Sequence, residues 1–272
     1  MNCPHCTSTA SILQSRKTSL GYQVFHCKSC RRTFNERTST PFNYLQFPTD
    51  IVFLVVLWRL RYKLSLGDLA EMFLARGFEF THEAVRDWET RFAPLIIEQL
   101  RVRRKGKAGH SWYVDETYVK VGGRSCYLYR AIDRDGNLVD SMLSENRDME
   151  AAKRFFKQAT DAVGHKPTRV TTDGHHSYPR AIRKVLGRNV KHRTSRYLNN
   201  RMEQDHRGVK QRYYPTTGFG SFQSASRFCT AFDEQRDYFR YRSEPNEKVS
   251  LPEQRRIFRQ RFGALQYLLM AA

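Results

Sequence analysis

From Ile51 to Phe92 the apolar residues predict three helices in succession. The first runs from Ile51 to about Tyr62, with Thr49-Asp50 available to cap it. In the second, about Leu66 to Ala75, Leu69, Ala70 and Phe73 continue a stripe begun at Leu66. Ser65 can cap that helix, Asp68 stands at the capping-box position, and Gly77 breaks it. Thr81 caps a third helix, about His82 to Phe92, stopped by Pro94. Its stripe is Ala84, Val85, Trp88 and Phe92. Helix, short glycine-containing turn, helix is the helix-turn-helix pattern.

A basic linker, Arg101 to Lys107, follows, and beyond it the period changes to two. Trp112–Val121, Cys126–Ile132 and Leu138–Leu143 read as strands joined at Gly122-Gly123 and Asp135-Gly136-Asn137, an antiparallel meander. Helical periods then alternate with short strands. A helix from Asp148 to about Val163 presents Ala152, Phe155, Phe156 and Ala159, and Arg169–Thr172 is a strand. A helix over Tyr178–Leu186 precedes a strand over Val190–Thr194. Helices over 199–212 and 221–241 close the pattern. The order β-β-β-α-β-α-β-α predicts an α/β mixed five-stranded sheet flanked by helices. The tail, from Glu244 to Ala272, carries an apolar patch at Phe262, Leu265, Leu268 and Leu269.

Composition adds a partner. Across 272 residues, 47 Lys+Arg face 27 Asp+Glu, a net charge of +20. Self-repulsion of that size opposes compaction, which points to a polyanion, nucleic acid first. A membrane span is excluded by length: the longest apolar run, Ile51–Trp58, ends at Arg59. No secretory leader is read at the start, so a cytoplasmic protein is expected.

Four of the six cysteines fall within the first thirty residues. Cys3-Pro-His-Cys6 and Cys27-Lys-Ser-Cys30 are separated by twenty residues. Two such knuckles present four thiolates to one tetrahedral Zn²⁺. With a strand over Gly21–Phe25, residues 1–40 read as a zinc ribbon that relies on one structural zinc for its folding energy. Cys126 and Cys229 lack partners at metal spacing and are expected in the core.

Three carboxylates stand out by position. Asp115 sits in the middle of the first long strand, Asp173 directly follows the Arg169–Thr172 strand, and Glu203 lies in the first turns of a late helix. Asp disfavours strands and is costly when buried unpaired. Three carboxylates can bind two hard cations that activate an attacking oxygen and stabilise a leaving one on phosphorus. Glu116, Asp133, Asp205 and Asp161 are rivals; strand alternation places Glu116 opposite Asp115, and Asp205 lies round the helix from Glu203. His206, three residues beyond Glu203, shares its face.

Basic residues bracket Glu203. Between Arg180 and Arg212 eleven Lys/Arg face two acids. Of these, Lys191, Arg193, Arg196, Arg201, Arg207 and Lys210, together with His206, are expected to contact DNA backbone. His82, Arg86 and Arg91 project from the third helix toward a groove. Tyr213 and Tyr214 offer stacking surfaces.

The chain resembles the DDE transposases with an RNase H-like core, and more closely the small prokaryotic insertion-sequence family that forms cointegrates. The resemblance is carried by Trp112-Tyr-Val-Asp115-Glu-Thr-Tyr-Val-Lys-Val-Gly, Tyr127-Leu-Tyr-Arg-Ala-Ile-Asp133, Thr172-Asp173 and Asn199-Asn-Arg-Met-Glu203-Gln-Asp-His206. It spans roughly Leu45 to Tyr241. It implies that Asp115, Asp173 and Glu203 form the catalytic triad and bind two Mg²⁺, with Mn²⁺ as a substitute. It also implies an RNase H-like catalytic domain over 108–242, after a helix-turn-helix domain over 46–98. The 243–272 tail would serve oligomerisation. The expected activity is 3′-end cleavage at terminal inverted repeats and strand transfer into target DNA, both double-stranded, by at least a homodimer. Two features depart from the family pattern: 29 residues separate Asp173 from Glu203, fewer than in close relatives, and the ribbon is an addition. Two other classes compete, a ribbon and helix-turn-helix transcription regulator and an RNase H-like nuclease without strand transfer.

Overall fold

The computed structural model describes residues 1–195, 200–214, 218–241 and 249–271, without the side chains of Asn200 and Arg201. Arg196 and the side chain of Arg201, both expected at DNA, therefore lie outside the described residues. The chain divides into two compact units, Met1–Val56 with Lys248–Ala272, and Leu57–Glu247.

The first unit holds a three-stranded antiparallel sheet, β1 (Ser11–Lys17), β2 (Gln23–Cys27) and β3 (Thr33–Phe34), in the order β1-β2-β3. The single expected strand is thus the middle one of three. Its core is small: Cys3, Cys27 and Phe34 are buried, and Phe25 stacks on Phe34 at 5.5 Å. The stretch from about Thr38 to Pro48, which its breakers Pro41 and Pro48 mark as a linker, is ordered by one buried cation just before it. Arg37 donates to the carbonyls of Phe42, Leu45 and Phe47, satisfying three backbone acceptors in a turn-rich segment. Helix α8 (Leu251–Ala271) was not expected. It buries Leu265 and Leu269, and Phe262 meets Phe53 edge-on at 5.0 Å. Most of the tail's apolar patch is therefore engaged within the chain.

The second unit joins helices to the large sheet. Helices α1 (Thr49–Arg61), α2 (Leu66–Leu74) and α3 (His82–Arg104) match the three sequence stripes. Ser65 and Asp68 form the expected capping box, and Thr81 caps α3. Aromatic contacts tie them together: Trp58 to Phe73 at 5.4 Å and Phe80 to Trp88 at 4.8 Å. A buried ion pair, Arg59–Glu89 at 3.0 Å, links α1 to α3. Pro94 does not end α3, which continues for another ten residues through Arg104. Proline lacks one N–H but is tolerated where packing holds the helix; Phe92, Ala93, Ile96 and Leu100 around it are buried. Most of the supposed basic linker is thus the last turn of α3.

The sheet comprises β4 (Ser111–Val121), β5 (Arg124–Asp133), β6 (Leu138–Ser144), β7 (Arg169–Thr172) and β8 (Lys191–Thr194), in the order β6-β5-β4-β7-β8. β4, β5 and β6 form the antiparallel meander; β7 runs parallel to β4, and β8 parallel to β7. This is the mixed five-stranded, RNase H-like sheet expected. Helices α4 (Met149–Val163) and α5 (Ser177–Val185) cover one face, where Trp112, Val114, Tyr129 and Ala131 pack with Phe155, Phe156 and Tyr178. Helix α6 (Asn200–Tyr213) lies on the opposite face, with Met202 against Tyr113 and Ile132. The last helix of this unit is α7 (Phe222–Phe239), and Cys126 and Cys229 are both buried.

Candidate active site

The register of two parallel strands creates the site. Tyr113 on β4 pairs with Thr171 on β7, and β7 ends one residue later. Asp115 and Asp173 each lie two residues beyond a paired position, so they sit level where β4 loses its β7 neighbour. Such a gap at the carboxyl ends of strands is where open α/β sheets bind ligands.

Three carboxylates converge there. Oxygens of Asp115, Glu116 and Asp173 all lie within 4.8 Å of one another. Alternation does give Asp115 and Glu116 partners on opposite faces: His206 of α6 is 3.9 Å from Asp115, whereas Glu116 accepts from the Tyr178 hydroxyl of α5. The expectation that only one of them reaches the site is nevertheless corrected. β5 still flanks β4 here, but the β7 side is open beyond Tyr113, so both carboxylates reach Asp173 around that one free edge.

The electrostatics are those of crowded negative charge. Asp115 is pushed up to about 7, first by burial and then by Glu116 and Asp173. Arg147, in the turn before α4, partly neutralises the group by bonding Glu116 and reaching Asp173 at 3.4 Å. The N–H of His175 donates to Asp173 Oδ1 at 2.9 Å. His206 is held down at about 3, by burial and then by Arg130, so its ring is neutral beside Asp115. Its Nε2 is buried and has no hydrogen-bond partner among the described residues. Clustered hard oxygen donors, one pushed up by its neighbours, fit a divalent metal.

Glu203 lies outside this cluster. It is exposed in the first turn of α6, the helix that brings His206 to Asp115. Its neighbour Asp205 points elsewhere, to Arg130 and Arg236 at 2.6 Å each. Asp133 is a turn organiser, accepting from the backbone of Gly109, Asp135 and Asn137. His82, Arg86 and Arg91 are exposed on α3, and Lys191, Arg193 and Arg207 are exposed around the sheet end and α6. Lys210 is half-buried. His206, expected at DNA backbone, is instead buried against Asp115. Tyr213 is buried and stacks on Phe219 at 6.2 Å, so only Tyr214 keeps an exposed ring. Arg147 and Tyr178 escaped the sequence reading, because both meet Glu116 only through the fold.

The second metal-type cluster is the ribbon. Cys3, Cys6, Cys27 and Cys30 bring their sulfurs within 4.8 Å of one another, with Cys3–Cys30 and Cys6–Cys27 at 3.6 Å. The Cys30 N–H is the main influence lowering the Cys27 thiol to about 6, whereas Cys6 beside it is pushed up to about 12, so the first thiolate of the four forms at Cys27. Four thiols at the corners of so small a volume fit zinc.

Comparison with known proteins agrees with this chemistry. Residues 109–241 match the model of a DDE domain. The transposase for insertion sequence element IS257 in transposon Tn4003, from Staphylococcus aureus, is 40% identical over 175 residues, which are 63% of this chain and 77% of that protein. The transposase for insertion sequence-like element IS431mec of S. aureus strain Mu50 matches at the same identity and coverage. Among solved structures, the HTLV-2 integrase catalytic core domain in complex with magnesium aligns over 38% of this chain and 67% of its own, at 19% identity and a TM-score of 0.31. With a DDE domain laid over the Asp115–Asp173 gap and this extent of identity to insertion-sequence transposases, the chain belongs to the DDE transposase family of enzymes.

Proposed function

We propose that this enzyme binds the terminal inverted repeats of an insertion sequence, cleaves their 3′ ends and joins those ends to target DNA. The observation that carries the reading is the placement of Asp115 level with Asp173 at the open end of the β4–β7 pair. Asp115, Asp173 and Glu203 are the catalytic carboxylates. Asp115 and Asp173 sit on the rigid sheet, and Glu203 approaches on α6, the helix that packs over Tyr113 and Ile132. Bound Mg²⁺, two per site with Mn²⁺ as a substitute, would supply the Lewis acidity that activates an attacking oxygen and stabilises a leaving one. His206 is a neutral ring packed beside Asp115, and Arg147 restrains Glu116 and Asp173 so that the carboxylates keep one arrangement.

In this reading residues 1–40 form a zinc ribbon and 46–98 a helix-turn-helix domain that recognise the ends. Residues 108–242 do the chemistry, and 243–272 serve assembly. His82, Arg86 and Arg91 face the groove, while Lys191, Arg193, Arg196, Arg201, Arg207 and Lys210 hold backbone near the carboxylates. Pairing two ends requires at least a homodimer. The expected outcome for Glu203→Gln is loss of both cleavage and joining with end binding intact. Electrophoresis of a labelled end reads the first two and a mobility shift the third. Retained cleavage would remove Glu203 from the triad.

A further inference from the structure

An open cavity of about 510 Å³ lies between the C-terminal end of α3 and α4, on a face that the reading above leaves unused. Cations line it: Arg101 and Lys105 from the end of α3, Arg154 and Lys157 from α4. The one acid is Asp161. Arg101 is already engaged by Asp140 at 2.6 Å and Glu234 at 3.0 Å. Lys105, Arg154 and Lys157 form no ion pair among the described residues, and Arg154 donates only to the Ser144 hydroxyl at 3.2 Å. Three unpaired cations facing one carboxylate in a concave surface make a site for an anion.

The cavity is held open by the backbone. The Gly106 N–H donates to the Val163 carbonyl at 2.9 Å, pinning the end of α3 to the end of α4. The stem of Lys105 crosses Gly164, where an added Cβ would lie 3.1 Å from Lys105 Cε. That contact sets the direction of the Lys105 ammonium. The lining is dominated by cations. It has no aromatic ring, and the Gln158 amide is spent on Asp140 at 2.8 Å and the Ser141 carbonyl at 3.2 Å. A concave surface rich in Lys and Arg suits phosphate oxygens, contacts that carry no sequence information. Arg147 at the carboxylate cluster lies just before α4, and from the start of the helix at Met149 to Lys157 at the cavity is about 12 Å at 1.5 Å per residue.

We propose that this α3–α4 cavity binds the phosphate backbone of target DNA, the substrate that needs no defined sequence. The proposal rests on the transposase reading above. Its test is the full-length double variant Lys105→Glu with Lys157→Glu, with Lys105→Arg with Lys157→Arg as the charge-keeping control. Binding of a duplex of arbitrary sequence is followed by fluorescence anisotropy across a salt series. Joining of a pre-cut end to a plasmid, and cleavage of an uncut end, are followed in parallel. In the charge-reversed variant the slope of log affinity against log salt should flatten by about 1.8, the loss of two phosphate contacts. Joining should fall at least tenfold, while end cleavage and the Arg control stay unchanged. Anisotropy needs no catalysis, so it decides the proposal even if the wild type fails to join ends. An unaltered salt slope would overturn it. So would wild-type binding of inorganic phosphate at this cavity with undiminished duplex binding in the variant, which would mark a small-anion site.

Discussion

His192 carries a pH signature that a single residue can test. It lies on β8, and its Nε2 shares a hydrogen bond with the Thr172 hydroxyl at 2.9 Å. Burial lowers its pKa below the usual 6.5. The unfolded chain therefore takes up the proton before the folded one does. Stability from the neutral ring is fully present above about pH 6.5 and is lost as pH falls through the folded value. Replacing His192 with Gln keeps a polar partner for Thr172 and removes the titration. The urea midpoint of the wild type should drop more between about pH 7.5 and about pH 5 than that of His192→Gln. Equal drops would show that the ring is already solvated. At this scale the sequence was legible where a residue contradicts its local setting. An Asp inside a strand and an Asp at a strand end announce themselves because each is costly without a use. Glu116 misled because alternation fixes the face a side chain leaves from and not where its carboxylate ends, and beyond Tyr113 no β7 partner separates the two faces of β4. Arg147 was invisible for a different reason: its partner Glu116 is 31 residues away in the chain.

Among elements, those defined by local chemistry were read well, and those defined by distant packing were not. The Ser65 box and Thr81 cap fix the starts of α2 and α3 through bonds within four residues. The end of α3 depends instead on burial of Ile96, Leu100 and Arg104, which outweighs the cost of Pro94. Helix α8 carries an internal Gly263, and its ordering contacts include Phe53, more than two hundred residues earlier in the chain. The ribbon gives the sharpest prediction here. Its buried apolar core is Cys3, Cys27 and Phe34, so most of its folding energy must come from outside the hydrophobic effect. Elemental analysis of the full chain should find one zinc. A strong chelator should then open residues 1–40 to protease while the 57–247 unit resists. Protease resistance of the N-terminal segment after complete removal of zinc would mean that the strands hold without metal.

For the whole molecule, the question is whether the α1–α3 helices and the five-stranded sheet act as one body. Helix α3 begins with the exposed His82 and Arg86 and ends beside the sheet, inside the single unit Leu57–Glu247. Its last turn is bolted by buried charge. Arg104 bonds both oxygens of Glu234 on α7, at 2.6 and 2.7 Å, and the Val139 carbonyl of β6 at 2.8 Å. Arg101 bridges Glu234 and Asp140 of the same cluster. Breaking one side of such a network strands the opposite charges and costs about 3–5 kcal/mol. Glu234→Leu should therefore destabilise the protein by that order, and it should also separate two transitions that coincide in the wild type. The three tryptophans allow this to be seen. Trp58 and Trp88 belong to the helices, and Trp112 is fully buried in the sheet. A Trp112→Phe background reports the helices, and a Trp58→Phe with Trp88→Phe background reports the sheet. Denaturant midpoints from the two backgrounds should agree with Glu234 present and part in Glu234→Leu, with the helices unfolding first. Coincident midpoints in the variant would mean that packing along α3, rather than this charge cluster, couples the helices to the sheet.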